Sequence, residues 1–162
     1  MSSQWEIERF YHTVVNCTDL DRSIAFYKKL GFRVLHDRRD AVWPDFVATN
    51  FAMPRAQGRG ALLVLESDPD GPIVDLVEWT EPRFAPHTGP ERIRQILAFR
   101  TRNVAEAYRT LTAAGIEFTN ELIGPDESLG LKGVCCCLDP DGNVVELIEY
   151  AAGQRHSRTD DL

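Results

Sequence analysis

"DPDGPIVDLVEW" (68–79) and "DPDGNVVELIEY" (139–150) are nearly one stretch written twice. Each copy has an Asp-Pro-Asp-Gly turn, rich in the residue types that turns favour. A run of alternating apolar residues follows, with an acid at its centre: Asp75 in the first copy and Glu146 in the second. Such a run reads as a β-strand.

The duplication extends upstream. "YHTVVNCTDLDRSIAFYKKLGFRVL" (11–35) lies on "QILAFRTRNVAEAYRTLTAAGIEFT" (95–119) without a gap, so that Asp19 falls on Asn103 and Gly31 on Gly115. Each half opens with a short apolar strand (Thr13 to Val15; Leu97 to Phe99), followed by a residue able to cap a helix, Asp19 or Asn103. Asn103 with Glu106 has the spacing of a capping box. Ile24, Phe26, Tyr27 and Leu30, and again Val104, Ala107, Tyr108 and Leu111, recur at helical spacing. Both helices are expected to stop at their glycine, in a left-handed C-cap.

After the glycine come a β-rich run ("FRVLH"; "IEFTNEL"), another strand ("ALLVLES"; "GVCCCL"), the DPDG turn and the last strand. The unit is therefore βαβββ, twice. The helix caps are 84 positions apart and the DPDG turns only 71, so the first copy carries 13 extra residues. Their expected place is between its second and third strands, in "HDRRDAVWPDFVATNFAMPRAQGRG" (36–60), whose prolines and polarity read as a loop. Loops of that length are usually functional or mobile.

Composition limits the function. The chain has 162 residues, of which 43% are hydrophobic and 27% charged, enough for one compact domain with its own core. We expect that domain over 1–150, with module 1 at about 8–80, module 2 at about 93–150, and a flexible tail at 151–162 whose composition lacks periodicity. A net charge of −7 argues against nucleic acid as a partner, because phosphate contacts need a basic face. No run approaches the ~20 apolar residues that span a bilayer. The start "MSSQWEIERF" lacks the apolar core of a secretory signal. A cytoplasmic location and no membrane partner are expected. Cys17 stands alone and Cys135, Cys136 and Cys137 are consecutive, neither a disulfide framework nor a zinc spacing, so reduced thiols are expected.

On "YHTVVNCTDLDRSIAFYKKLGF" and "DPDGNVVELIEY" the chain resembles the vicinal oxygen chelate superfamily, of the glyoxalase, bleomycin-resistance and extradiol dioxygenase type. The resemblance covers about residues 8 to 150. It implies an α+β fold in which two tandem βαβββ modules form a curved, barrel-like mixed sheet around a cavity, with helices outside. It also implies a small-molecule ligand and a homodimer. Metal ligands, where such proteins have them, come from the first and fourth strands of each module.

Strand alternation assigns these places. With Thr13 and Val15 under the helix, His12, Val14 and Asn16 face the other way. With Val74, Leu76, Val145 and Leu147 under the helices, Asp75 and Glu146 face the cavity. The position matching His12 in the second half is Ile96, which cannot bind a metal. The set His12, Asp75 and Glu146 would suit a hard or borderline divalent ion, such as Zn, Mn, Fe, Mg or Ni, or no ion at all. A bulge that turned Gln95 inward, or a reach by His87, would supply a further ligand.

Glu146 and Asp75 are the candidate catalytic carboxylates, since a carboxylate among apolar neighbours is costly unless it is paired or used. Asn16, Trp79, Arg100 and Cys136 are candidate pocket residues. Arg100 suits a carboxylate or enolate oxygen, or an ion pair with Asp75 or Glu146. Cys135 and Cys137 read as core filler. Trp43, Phe46, Phe51 and Met53 read as an apolar lid or as a contact with a second subunit.

Two functions are open at this stage. One is a metal-dependent lyase, isomerase or epimerase in which the ion polarises substrate oxygens and a carboxylate serves as base. That chemistry fits better than oxygen activation, because the resemblance shows no pair of histidines. The alternative is a metal-free small-molecule or antibiotic-binding protein of the bleomycin-resistance kind.

Overall fold

The computed structural model describes residues 9–83 and 94–151. The chain forms two compact units, 1–86 and 87–162. Unit 1 contains β1 (His12–Cys17), α1 (Leu20–Lys29), β2 (Phe32–Asp37), α2 (Phe46–Asn50), β3 (Gln57–Leu65) and β4 (Ile73–Glu81). Its four strands lie in the order β1-β4-β3-β2. Unit 2 contains β5 (Ile96–Arg100), α3 (Val104–Ala113), a 3₁₀ turn (Glu127–Leu129), β6 (Leu131–Leu138) and β7 (Val144–Tyr150), in the order β5-β7-β6.

The α+β class and the tandem modules are as the sequence implied. Within each module the first strand runs parallel to the last, and the remaining pairs are antiparallel. The strands are hydrogen-bonded as two separate mixed sheets and not as one closed sheet.

The core of unit 1 follows from alternation. Val15, Leu76 and Ala61 are register neighbours across β1, β4 and β3, and all three are fully buried. Leu20, Ile24 and Tyr27 on α1 are buried with them. Each aliphatic side chain taken from water in this way contributes about 1.5–3 kcal/mol. In unit 2 Val145 and Leu147 pair with Leu97 and Phe99 on one side and with Cys137 and Cys135 on the other. Both of those cysteines are buried, as small core hydrophobes should be. Burial pushes both thiols up to about 11.

Both helices end as expected, with Gly31 and Gly115 at φ +88° and +81°. Asp19 Oδ1 accepts the Arg22 amide at 3.0 Å, and the Asn103 side chain accepts that of Glu106 at 3.4 Å. The capping box at Asn103 is only half made. The Glu106 carboxylate turns outward to Arg109 and Thr110.

Two expectations need correction. "IEFTNEL" is not a strand: Phe118 and Ile123 form isolated bridges to Cys137 and Val134, and between them Asn120 bonds the Glu121 carbonyl at 2.7 Å. Local side-chain bonding by that polar pair competes with the ladder. The extra residues of module 1 are also divided. Val34 pairs with Leu63, and Phe118, its duplicate, with Cys137. Asp68 lies five residues beyond Leu63 and Asp139 only two beyond Cys137, so three of the extra residues precede the turn. The other ten lie in the β2–β3 connection.

Candidate functional site

Each sheet has a face turned away from its helix. In unit 1 register rows place Val14, Asp75 and Leu62 side by side, and next to them Asn16, Val77 and Gly60. Trp79 continues the face opposite Gly58. His12, Asn16, Asp75 and Trp79 therefore share one face, as alternation required. The Trp79 indole N–H donates to Asn16 Oδ1 at 2.8 Å, bringing two predicted pocket residues together.

Asp75 is 7% exposed and is ion-paired with Arg38, a residue the sequence reading did not single out. Arg38 follows β2, and its amide donates to the Gly60 carbonyl at 2.8 Å. A Cβ on Gly60 would stand 3.2 Å from the Arg38 guanidinium and 3.1 Å from the Leu76 carbonyl. A glycine there leaves room for the guanidinium against the strand. Two residues along, Gly58 gives the same room to Trp43, whose ring a Cβ would meet at 3.0 Å.

The long connection is thus seated on its own unit. Trp43 and Phe51 pack edge-on to Trp79, with ring centres 5.2 and 6.2 Å apart. Gln57 fixes the loop, donating to the Trp43 carbonyl at 3.0 Å and accepting the Trp43 amide at 3.3 Å. Met53 helps to line a cavity of about 380 Å³ with α2, Arg55 and Glu81, while Phe46 is 61% exposed.

In unit 2 Glu146 sits between Ala98 on β5 and Cys136 on β6. Leu97 is buried and Ile96 is 64% exposed, so Ile96 and Ala98 face away from α3 as expected. β5 pairs with β7 from Ile96 to Arg100 without a bulge, so Gln95 is not turned inward; its carbonyl accepts the Val144 amide at 2.8 Å. His87 and residues 152–162 of the tail lie outside the described residues. Glu146 is half-buried and makes no hydrogen bond or ion pair among the described residues. Arg100, exposed at the end of β5, does not pair with it. Burial and then the Glu146 charge push the Cys136 thiol up. Among the described residues no cationic neighbour activates that thiol.

Among the described residues the donor set does not fit a resident divalent ion. Asp75 is committed to a guanidinium, and Ile96 offers no donor. Among the described residues no three His, Cys, Asp or Glu side chains gather as ligands. Catalytic zinc sites typically use three protein ligands. His12 and Glu146 alone fall short of that.

The duplicated stretch contains a second pair of acids that sequence reasoning missed. Glu78 Oε2 accepts the Leu20 amide at 2.9 Å, and Glu149 Oε2 accepts the Val104 amide at 2.8 Å. Each also meets a cation of its module's third strand, Arg59 at 2.5 Å and Lys132 at 3.3 Å. The signal was available: Glu78 and Glu149 occupy equal places in the repeat, three residues after Asp75 and Glu146. An odd spacing in a strand sends them to the opposite, helix-bearing face.

Known proteins share this fold. The lactoylglutathione lyase of Schizosaccharomyces pombe is 30% identical over 147 residues, covering 87% of this chain and 45% of that protein. The chain thus spans about half the length of that relative. A glyoxalase family protein from Bacillus cereus superposes with a TM-score of 0.73 at 16% identity, over 93% of this chain and 99% of the other. Glyoxalase I from Zea mays superposes at 0.63 and 23% identity, over 88% of this chain and 46% of the other. Residues 9–147 match the model of one family, and the chain belongs to the Glyoxalase/Bleomycin resistance protein/Dioxygenase superfamily.

Proposed function

We propose that the chain is a small-molecule lyase or isomerase of the glyoxalase kind in which Glu146 moves the proton, without a resident divalent ion. The observation that carries this reading is the contrast between the duplicated acids. Asp75 is tied to Arg38, whereas Glu146 has no cation or donor among the described residues. Its lone pairs are available to a substrate, with Ala98 and Cys136 beside it on the same face. Glu146 would take the proton from a carbon next to a carbonyl. The C–H electron pair passes to the carbonyl oxygen as an enolate, and the proton returns to the same carbon or, where that carbon bears a hydroxyl whose proton is lost as it becomes the new carbonyl, to the former carbonyl carbon.

The name of the fission yeast relative makes lactoylglutathione the first substrate to try. The protein is incubated with it in D2O and chelator, and exchange at the carbon beside the thioester carbonyl is followed by proton NMR. Exchange that is lost in Glu146→Gln supports the reading, and exchange that survives this change sinks it.

A second reading, a metal-free binding protein of the bleomycin-resistance kind, is favoured by Ile96 and by the aromatic residues around Trp79. Saturable ligand binding with no exchange in any carbonyl compound would select it. We also propose a homodimer: Phe10 and Tyr11 are 67% and 54% exposed next to β1, the edge strand of its sheet. Light scattering at micromolar concentration checks this. Among the described residues no helix is long and apolar enough to cross a membrane.

A further inference from the structure

The open face of unit 1 holds donors that neither the fold nor Glu146 uses. Arg38 engages Asp75 through Nη2 alone. Its Nε is buried without a hydrogen-bond partner among the described residues, and its side chain is 38% exposed. An arginine fork engaged at one corner still presents donors to a second acceptor. Asn16 lies on the same register row as Gly60, against which the guanidinium rests, with Val77 between them. Because the Trp79 indole N–H must meet an acceptor, Asn16 Oδ1 is fixed toward it and the amide N–H₂ is left as an exposed donor.

Beside these donors stands an apolar corner of aromatic rings set edge-on to one another. Gly58 and Gly60 are two residues apart on β3, so Trp43 lies about 7 Å along the strand from the guanidinium. Trp79 and Phe51 complete that corner.

We propose that Arg38 and Asn16 form a recognition site for a small carboxylate whose apolar group packs into the corner between the edge-on rings of Trp43 and Trp79. Arg38 gives the carboxylate a charged donor and Asn16 a neutral one. Asp75 is a positioning residue that holds the guanidinium over Gly60. The site draws on unit 1 alone and shares with the proposed function only its independence of metal.

The probe is phenylglyoxylate, a planar aryl 2-oxo acid. Its uncharged counterpart, 1-phenyl-1,2-propanedione, keeps the ring and the adjacent oxygens without the carboxylate. Binding is read in chelator from the Trp79 indole N–H resonance, assigned with Trp79→Phe. We expect a saturable shift with phenylglyoxylate, weakened about tenfold by the pair Arg38→Met with Asp75→Asn, the loss of one charged hydrogen bond. The paired change removes both charges together, so no unpaired buried carboxylate threatens folding. Asn16→Ala should weaken binding severalfold, and the dione should bind the parent and the paired variant alike. Equal affinity of the parent and the paired variant for phenylglyoxylate would overturn the proposal, as would a shift seen only after a divalent ion is added, or no saturable shift at all. The readout needs no turnover. A chain that binds without catalysing exchange leaves this site standing and removes the Glu146 reading, and the converse result removes this site only.

Discussion

Glu149 reaches from β7 to the start of α3, where its carboxylate accepts the Val104 amide at 2.8 Å. The helix presents an unpaired N–H and the positive end of its dipole there, so an anion at that point is stabilising. The Asn103 amide, which the incomplete capping box leaves to another acceptor, also acts on this carboxylate. Glu149→Ala should cost about 1 kcal/mol, the usual worth of a helix cap, read as a lower midpoint in urea. Glu78→Ala should cost at least as much, because its cation, Arg59 at 2.5 Å, is nearer than Lys132 is to Glu149, at 3.3 Å.

The same bond makes stability depend on pH. The Val104 amide, ahead of the opposing effect of burial and the help of Lys132, holds the Glu149 carboxyl below its ordinary value. A carboxyl depressed in the folded state adds stability above its unfolded pKa and loses it as pH falls through the folded pKa. The gap between parent and Glu149→Gln should therefore be full near neutral pH, shrink as pH falls through the depressed folded value, and close only below it. A gap that persists in acid would mean the side chain acts by packing.

Arg38 and Asp75 should be coupled. Asp75→Asn leaves the guanidinium without its anion, and Arg38→Met leaves a carboxylate that is 7% exposed without its cation. Breaking a buried pair costs about 3–5 kcal/mol, and the 38% exposure of Arg38 places this one below that range. Each single change should thus be more destabilising than the double change, Arg38→Met with Asp75→Asn. A double-mutant cycle by urea unfolding checks this, and additive effects would mean that the pair is loose in solution.

The fold was legible because duplication and alternation are properties of sequence. Once the two DPDG turns were aligned, Leu97 had to be buried and Ile96 exposed, and they are. Asp75 and Glu146 could be placed on the open faces by the same rule. The partners were hidden where the repeat breaks. Arg38 lies in the segment unique to module 1, so no second copy marks it, and its reach to Asp75 depends on Gly60, on the next strand in sequence. Missing Glu78 and Glu149 was different in kind. They sat in the aligned stretch, but acids on a helix-facing side look wrong until the unpaired amides of Leu20 and Val104 are counted.

The two glycines of β3 should resist side chains for the reason that they accept the loop. A Cβ on Gly58 would meet the Glu78 carbonyl at 2.9 Å and Trp43 at 3.0 Å. Gly58→Ala must therefore displace backbone or loop, costing about 1–3 kcal/mol, and should shift the tryptophan emission to the red as Trp43 lifts from Trp79. Gly60→Ala crowds Arg38 instead, and its emission should stay nearly unchanged. Equal spectral shifts in both variants would refute this division of roles.

Cys136 and Glu146 face each other across β6 and β7, and the negative charge of the acid opposes formation of the thiolate. Removing that charge should lower the thiol's pKa, so Glu146→Gln should be alkylated faster at Cys136 at about pH 8. Cys135 and Cys137, pushed up to about 11 by burial, should stay unlabelled in both proteins. Peptide mapping after iodoacetamide separates the sites. Asp75→Asn is the control, because Asp75 does not act on Cys136, and faster labelling there as well would mean general loosening and not the loss of one charge.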